Sequence, residues 1–305
     1  MTVVRIATRG SLLAVTQTGW VMERLREANP SITFEMVTFK TVGDKILNKA
    51  LSQIGGKGLF TKELEEALLD GRADIAVHSL KDMPTELPAG LQLGCVPQRE
   101  DPRDVVISAD GRSLEELPPG TRVGTSSLRR LAQCRALRPD LEYIPIRGNV
   151  ETRIRKMEEG QVGAVVMAAA GLHRAGLAHK ITQYLEPSAF LPAPGQGALA
   201  VEVRAQDAEV RAMVARIHDE AAALEVRAER SFLARLEGGC QVPVGALATR
   251  KGDMLQLEGL IAAPDGSKVI RHRDEGPAGD PEGLGEKVAD WLLAHGGQVI
   301  LSALR

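Results

Sequence analysis

One local pattern recurs along the first two thirds of this chain and restricts its fold more than any other feature. A short apolar run that reads as a strand ends in a polar, often basic turn, and a helix follows. Val3-Val4-Arg5-Ile6-Ala7 leads into Thr8-Arg9-Gly10-Ser11, then a helical stretch on which Leu13, Trp20, Val21 and Leu25 share a face, with Ser11 as N-cap. Ile32 to Val42 reads as a second strand. Gly55-Gly56-Lys57-Gly58 precedes a helix over about Thr61 to Asp70 that Gly71 stops, and Ile75-Ala76-Val77 runs into His78-Ser79-Leu80-Lys81-Asp82-Met83-Pro84. The pattern restarts at Thr121-Arg122-Val123, followed by Gly124-Thr125-Ser126-Ser127-Leu128-Arg129-Arg130. It continues through Tyr143-Ile144-Pro145-Ile146 into Arg147-Gly148-Asn149, and through Gly163 to Met167 into a stretch that ends at His173-Arg174.

Such alternation predicts parallel sheets with helices on both faces, whose ligands bind beyond the carboxyl ends of the strands. With 305 residues, two or three domains are expected. The charged, proline-containing segment Arg99 to Arg103 reads as a linker, and Pro192, Pro194, Gly195 and Gly197 mark a second boundary. A helix-rich stretch from Asp207 to Glu237 follows. Val244 to Thr249, Leu255 to Ile261 and Lys268 to His272 then read as antiparallel strands separated by turn signals, with a covering helix over Gly283 to His295. The fold class expected is α/β with a small C-terminal α+β domain.

Composition excludes several functions. The formal net charge of −2 gives no global attraction to nucleic acid or an anionic membrane, so an anion site must come from local clustering. No stretch reads as a signal peptide or a membrane span, since the apolar run Val162 to Leu172 is too short and too rich in Gly and Ala. Cys95, Cys134 and Cys240 form neither a CxxC pair nor a disulfide framework, and a reducing cytoplasm suits them. The six histidines have no zinc spacing, and no metal is expected. Gly55 to Gly58 is neither a P-loop nor a dinucleotide fingerprint; with its neighbours from Thr41 to Phe60 it reads as a lid.

The chemistry-bearing residues converge on the strand ends. Arg9, Lys57, Lys81, Arg129, Arg130, Arg147, Arg153 and Arg174 form a cationic set, and the turns at Ser11, Thr125 to Ser127 and Asn149 add helix N-termini. Singly these cations read as solvated loop residues; together they suit a ligand with several carboxylates or phosphates. Asp82 reads equally as a turn residue bonding its own backbone and as a carboxylate that holds an N–H donor or steadies developing positive charge. Cys240, after Gly238-Gly239, reads either as an inert thiol or as an anchor for something bulky. Its place past a helix C-terminus disfavours a thiolate and so a hydrolase nucleophile. The competing readings are a pure di- or tricarboxylate binder and a thiol-dependent transferase or hydrolase, the last needing a His to activate Cys240, for which no His has an evident claim.

Seven segments in order resemble the porphobilinogen deaminase (hydroxymethylbilane synthase) family. They are Arg5 to Ser11, Gly55 to Phe60, Ala76 to Pro84, Gly124 to Arg130, Arg147 to Val150, Pro194-Gly195-Gln196-Gly197-Ala198 and Glu237-Gly238-Gly239-Cys240-Gln241-Val242-Pro243. The resemblance implies two periplasmic-binding-protein-like α/β lobes, residues 1–98 with 197–216 and residues 99–196. A third domain, 217–305, with a three-stranded antiparallel sheet, would carry Cys240 on a loop facing the cleft. It implies a dipyrromethane cofactor made from two substrate molecules and fixed to Cys240 by a thioether. Four porphobilinogen molecules would join stepwise with loss of ammonia, and water would release linear hydroxymethylbilane. Asp82 would be catalytic. Ser79, Lys81, Asp82, Thr125, Ser127, Arg129, Arg130, Arg153 and Arg174 would hold the cofactor; Arg9, Ser11, Lys57, Arg147, Arg153 and Gln196 would hold substrate. A cytoplasmic monomer acting on a small molecule, without nucleic acid or membrane, is expected.

Overall fold

The computed structural model describes residues 3–45, 58–236 and 242–304. The chain groups into two compact units, Met1–Glu100 with Gly197–Ala223 and Asp101–Gln196 with Leu224–Arg305.

The first unit is built on β1 (Val3–Arg9), β2 (Thr33–Phe39), β3 (Ile75–Ser79), β4 (Leu91–Cys95) and β10 (Leu199–Arg204), in the order β2-β1-β3-β10-β4. β1 runs parallel to β2 and β3, whereas β10 is antiparallel to β3 and β4. Side chains alternate between faces along a strand. Val4, Ile6, Ile75 and Val77 therefore meet Val21 and Leu25 of helix α1 (Leu12–Ala28) and Val210 and Val214 of a helix over Ala208–Val214. The intervening Ala7 and Ala76 face Leu64, Ala67 and Leu68 of the helix Lys62–Leu69. Alanine on that face lets the second helix lie close. Gly71, at φ +76°, lets the chain leave that helix.

In the second unit β5 (Asp104–Ser108), β6 (Arg122–Gly124), β7 (Glu142–Ile144), β8 (Ala164–Ala168) and β9 (Gln183–Leu185) form a sheet ordered β7-β6-β8-β5-β9. Its plan repeats the first: three parallel strands, one antiparallel strand beside them, then an edge. The C-terminal segment adds the antiparallel sheet β11 (Val244–Lys251), β12 (Met254–Ala262) and β13 (Val269–Pro277). The helices Glu220–Arg235 and Pro281–Leu292 cover it, packing Phe232, Val288 and Leu292 against Leu257 of β12 and its neighbours. Their backbones approach so closely that a Cβ on Gly285 would collide with the carbonyl of Ala228. Ala132, Leu191, Leu260 and Ala262 form a further small core that joins this sheet to the helix Leu128–Leu137.

Several expectations are corrected. Neither large sheet is wholly parallel, because β10 and β5 return from a different direction than the strand–helix units supply. The strand expected over Ile32 to Val42 stops at Phe39, and Val42–Lys45 is helical. The third C-terminal strand runs on to Pro277. The covering helix starts at Pro281, capped by Asp280, whose side chain accepts from Gly283 N. On α1 the polar Gln17 and Thr18 are buried, with Thr18 Oγ1 donating to Thr8 Oγ1 at 2.8 Å, whereas Leu13 and Trp20 are half-buried.

Candidate active site

In the first unit β1 and β3 lie side by side and parallel, so their carboxyl ends emerge together. Beyond β1, Ser11 caps α1 by accepting from Ala14 N at 3.3 Å. The Arg9 guanidinium stacks over Phe60, 4.2 Å from the ring centre. Beyond β3, Ser79 Oγ donates to Gln17 Oε1 at 3.2 Å, and the chain makes a single 3₁₀ turn over Leu80–Asp82. Buried Leu80 anchors that turn and its N–H donates to Ala198 O at 3.0 Å, leaving Lys81 and Asp82 half-buried. Lys57 and most of the expected lid lie outside the described residues.

In the second unit β6 delivers Thr125 to Ser127. Ser127 Oγ accepts from Arg130 N as the cap of the helix Leu128–Leu137, and Thr125 Oγ1 accepts from Ser127 N. β7 delivers Arg147, after which Asn149 caps the helix Val150–Glu158 by accepting from Thr152 N at 2.9 Å. Arg153, in that helix's first turn, donates its Nε to Gly148 O at 2.9 Å. Arg147 Nη1 is buried and finds no acceptor among the described residues. A buried guanidinium donor without an acceptor is costly, and a ligand carboxylate is the group that would satisfy it. Arg174 departs from the expected strand-end position: it closes the six-residue helix Ala169–Arg174 that follows β8.

Arg129 and Arg130 are neither solvated nor strand-end groups. They occupy the first turn of Leu128–Leu137, are 4% and 6% exposed, and share one carboxylate, Asp104, which is 0% exposed. Arg129 Nη1 meets Asp104 Oδ2 at 2.5 Å and the Leu191 carbonyl at 2.8 Å; Arg130 Nε meets Asp104 Oδ1 at 2.9 Å. Cations in a helix's first turn oppose its dipole, and Asp104 offsets that. Burial pushes the Asp104 carboxyl up, but the two arginines outweigh it and hold it at about 2. The ionised trio keeps one net positive charge. Gln196, expected to meet substrate, is fully buried and donates Nε2 to Asp104 Oδ1 at 3.0 Å and Pro102 O at 2.7 Å. It bears on the arginines through Asp104 and by accepting from Arg130 Nη2 at 3.4 Å.

Sequence reasoning missed Asp104 and Glu229. Asp104 opens an apolar strand directly after the charged linker, and an acid leading a fully buried run was the available signal. Glu229 is buried within its helix and accepts from Gly195 N at 2.6 Å and Ala248 N at 2.8 Å, so one carboxylate ties the Pro194–Gly197 loop to β11. Cys95 and Cys134 are buried, and burial pushes both thiols up to about 12. Cys240 lies outside the described residues.

Among the described residues no helix is long and apolar enough to cross a membrane. The family model described as porphobilinogen deaminase, dipyromethane cofactor binding domain, matches residues 4–212, and the C-terminal domain model of the same family matches 223–294. A porphobilinogen deaminase from Syntrophotalea carbinolica is 50% identical over 300 residues, covering 98% of this chain and 95% of its own. One from Desulforudis audaxviator is 52% identical over 300 residues, covering 98% and 97%. A solved substrate-binding domain of a putative molybdenum ABC transporter from Clostridium difficile is 9% identical; it overlaps 73% of this chain and 94% of its own with a TM-score of 0.46, too loosely to add to the sheet orders. Matched over residues 4–212 and 223–294 by the two models and over 98% of its length by these relatives, the chain belongs to the porphobilinogen deaminase family.

Proposed function

We propose a division of labour among the residues of this transferase of tetrapyrrole biosynthesis, which polymerises porphobilinogen with the help of a dipyrromethane cofactor. Asp82 is the catalytic residue and Cys240 the point of covalent attachment. Each porphobilinogen carries an acetate and a propionate, so every added ring brings two more negative charges to a protein of near-neutral net charge. Local cations must absorb them. Arg9, Ser11, Lys57, Arg147 and Arg153 hold the carboxylates of the incoming ring. Ser79, Lys81, Thr125, Ser127 and Arg174 hold those of the cofactor, with the buried Arg129–Arg130–Asp104 trio supplying a fixed positive field behind Thr125 and Ser127. When bound, the cofactor would supply the free pyrrole carbon that the first ring joins, each later ring joining the one added before it.

Asp82 accepts hydrogen bonds from pyrrole N–H groups and steadies the positive charge that develops on the incoming ring as ammonia departs. A fixed carboxylate does this better than water because its orientation is set before the reaction begins. Cys240 needs no lowered pKa to trap so reactive a carbon, which suits a thiol beyond a helix C-terminus. The division into residues 1–98 with 197–216, 99–196 and 217–305 belongs to the same reading, as does a cytoplasmic monomer without a nucleic-acid partner.

The observation that carries this reading is the recurrence, in both large sheets, of cations and side-chain-capped helix N-termini just beyond the carboxyl ends of the parallel strands. Arg147 Nη1, a buried donor lacking an acceptor among the described residues, adds to it. Asp82→Asn tests the central role. Its turnover should fall by about 10² or more, while intact mass still shows the cofactor in place. Turnover near that of the wild type would remove Asp82 from the chemistry.

A further inference from the structure

Three titratable side chains lie buried in the first unit, just before the Asp82 turn, and the chemistry above uses none of them. His78 is on β3, Glu202 on β10 and Glu65 on the helix Lys62–Leu69; they are 6%, 0% and 7% exposed. In the antiparallel register His78 stands opposite Ala200 and Glu202 opposite Ala76. The two long side chains are therefore diagonal neighbours on one face, with fully buried alanines at the other two corners. His78 Nε2 and Glu202 Oε2 are 3.0 Å apart, at hydrogen-bond distance. Glu65 packs on the same face. Burial raises its pKa, and the charge of Glu202 adds to the rise.

An apolar pair would fill this position at equal or better stability, because burying ionisable groups costs several kcal/mol. Unlike an apolar contact, a hydrogen-bonded pair fixes direction. The end of β3 is held that way on every side. His78 is tied to Glu202 on one face, Ser79 to Gln17 on the other, and Leu80 N to Ala198 O along the β10 edge. The chain then reaches Asp82 within four residues, through a turn closed by Met83 N donating to Leu80 O at 3.1 Å. A carboxylate that must meet a pyrrole N–H tolerates little displacement, since about 1 Å of misplacement costs on the order of 10² in rate.

We propose that the buried His78–Glu202 pair sets the direction of the strand end that carries Asp82, making His78 a positioning residue for the reaction. This rests on the role assigned to Asp82 above. The test compares His78→Leu, His78→Gln and His78→Leu/Glu202→Leu with the wild type and with Asp82→Asn, each checked for folding by circular dichroism and for cofactor by intact mass. His78→Leu should lower kcat at least tenfold with KM within about threefold and cofactor loading complete. His78→Gln, which can keep an N–H near Nε2, should restore most of the turnover. If Glu202 left alone unfolds His78→Leu, the double variant decides, because replacing both partners with apolar groups is close to neutral for stability; it too should lose kcat tenfold. Wild-type kcat in a folded, loaded His78→Leu or double variant overturns the proposal, as does a loss confined to KM or to loading. An active Asp82→Asn would instead overturn the role of Asp82, whatever the His78 variants do.

Discussion

Asp104→Asn is the perturbation whose outcome the structure fixes most tightly. The substitution is nearly isosteric and removes one charge from a trio that has three, two positive and one negative, all within 8% side-chain exposure. It leaves two adjacent guanidiniums buried with no counter-charge and turns an amide N–H toward one of them. Breaking a buried ion pair by removing one partner costs about 3–5 kcal/mol. The proton linkage agrees in direction: a carboxyl held at about 2 in the folded protein, against 3.8 for an ordinary aspartate, contributes about 2 kcal/mol. Because the folded value is the lower one, that contribution is complete above pH 4 and disappears as pH falls through about 2. Differential scanning calorimetry should show the transition of Asp104→Asn lowered by roughly 10 °C. Arg129→Met should be milder, since Arg130 and Asp104 remain as a neutral pair. A transition for Asp104→Asn within 2 °C of the wild type, or a larger drop for Arg129→Met, would refute this account of the trio.

Two further outcomes follow from single groups. Arg147→Leu removes a buried donor that lacks an acceptor among the described residues, so it should leave the melting temperature nearly unchanged while raising KM for porphobilinogen about tenfold or more; an unchanged KM in steady-state assays contradicts its place in substrate binding. Cys95 and Cys134, with thiols pushed up to about 12, should resist a water-soluble thiol reagent at pH 8 in the native enzyme and react only on unfolding; peptide mapping that finds either one labelled within minutes contradicts their burial.

Period and punctuation made much of this molecule readable from its sequence. Ser11, Ser127 and Asn149 are short polar residues at the starts of helical stretches, and each caps its helix with its side chain. Gly71 takes the left-handed conformation that its position after Leu69 required. Local signals could not supply what depends on distant chain. β10 and β5 are ordinary apolar strands, and nothing within them reveals that they run against their neighbours. Arg129 and Arg130 looked like surface cations because their partner, Asp104, is 25 residues away from Arg129 in the chain. Gln196 gives no local sign of its partners either, its amide nitrogen reaching Asp104 and the carbonyl of Pro102, 94 residues earlier. The His78–Glu202 pair spans 124 residues. Cations and caps announce themselves locally, whereas the buried counter-ions that set their directions do not.

The covalent tether is the part of the account on which the rest of the chemistry hangs, and intact-mass spectrometry of the purified, unreduced protein reads it directly. Wild type should be heavier than its sequence by two linked pyrroles, and Cys240→Ser should appear at its bare sequence mass without turnover. A wild type at sequence mass that still converts porphobilinogen into linear tetrapyrrole would contradict it.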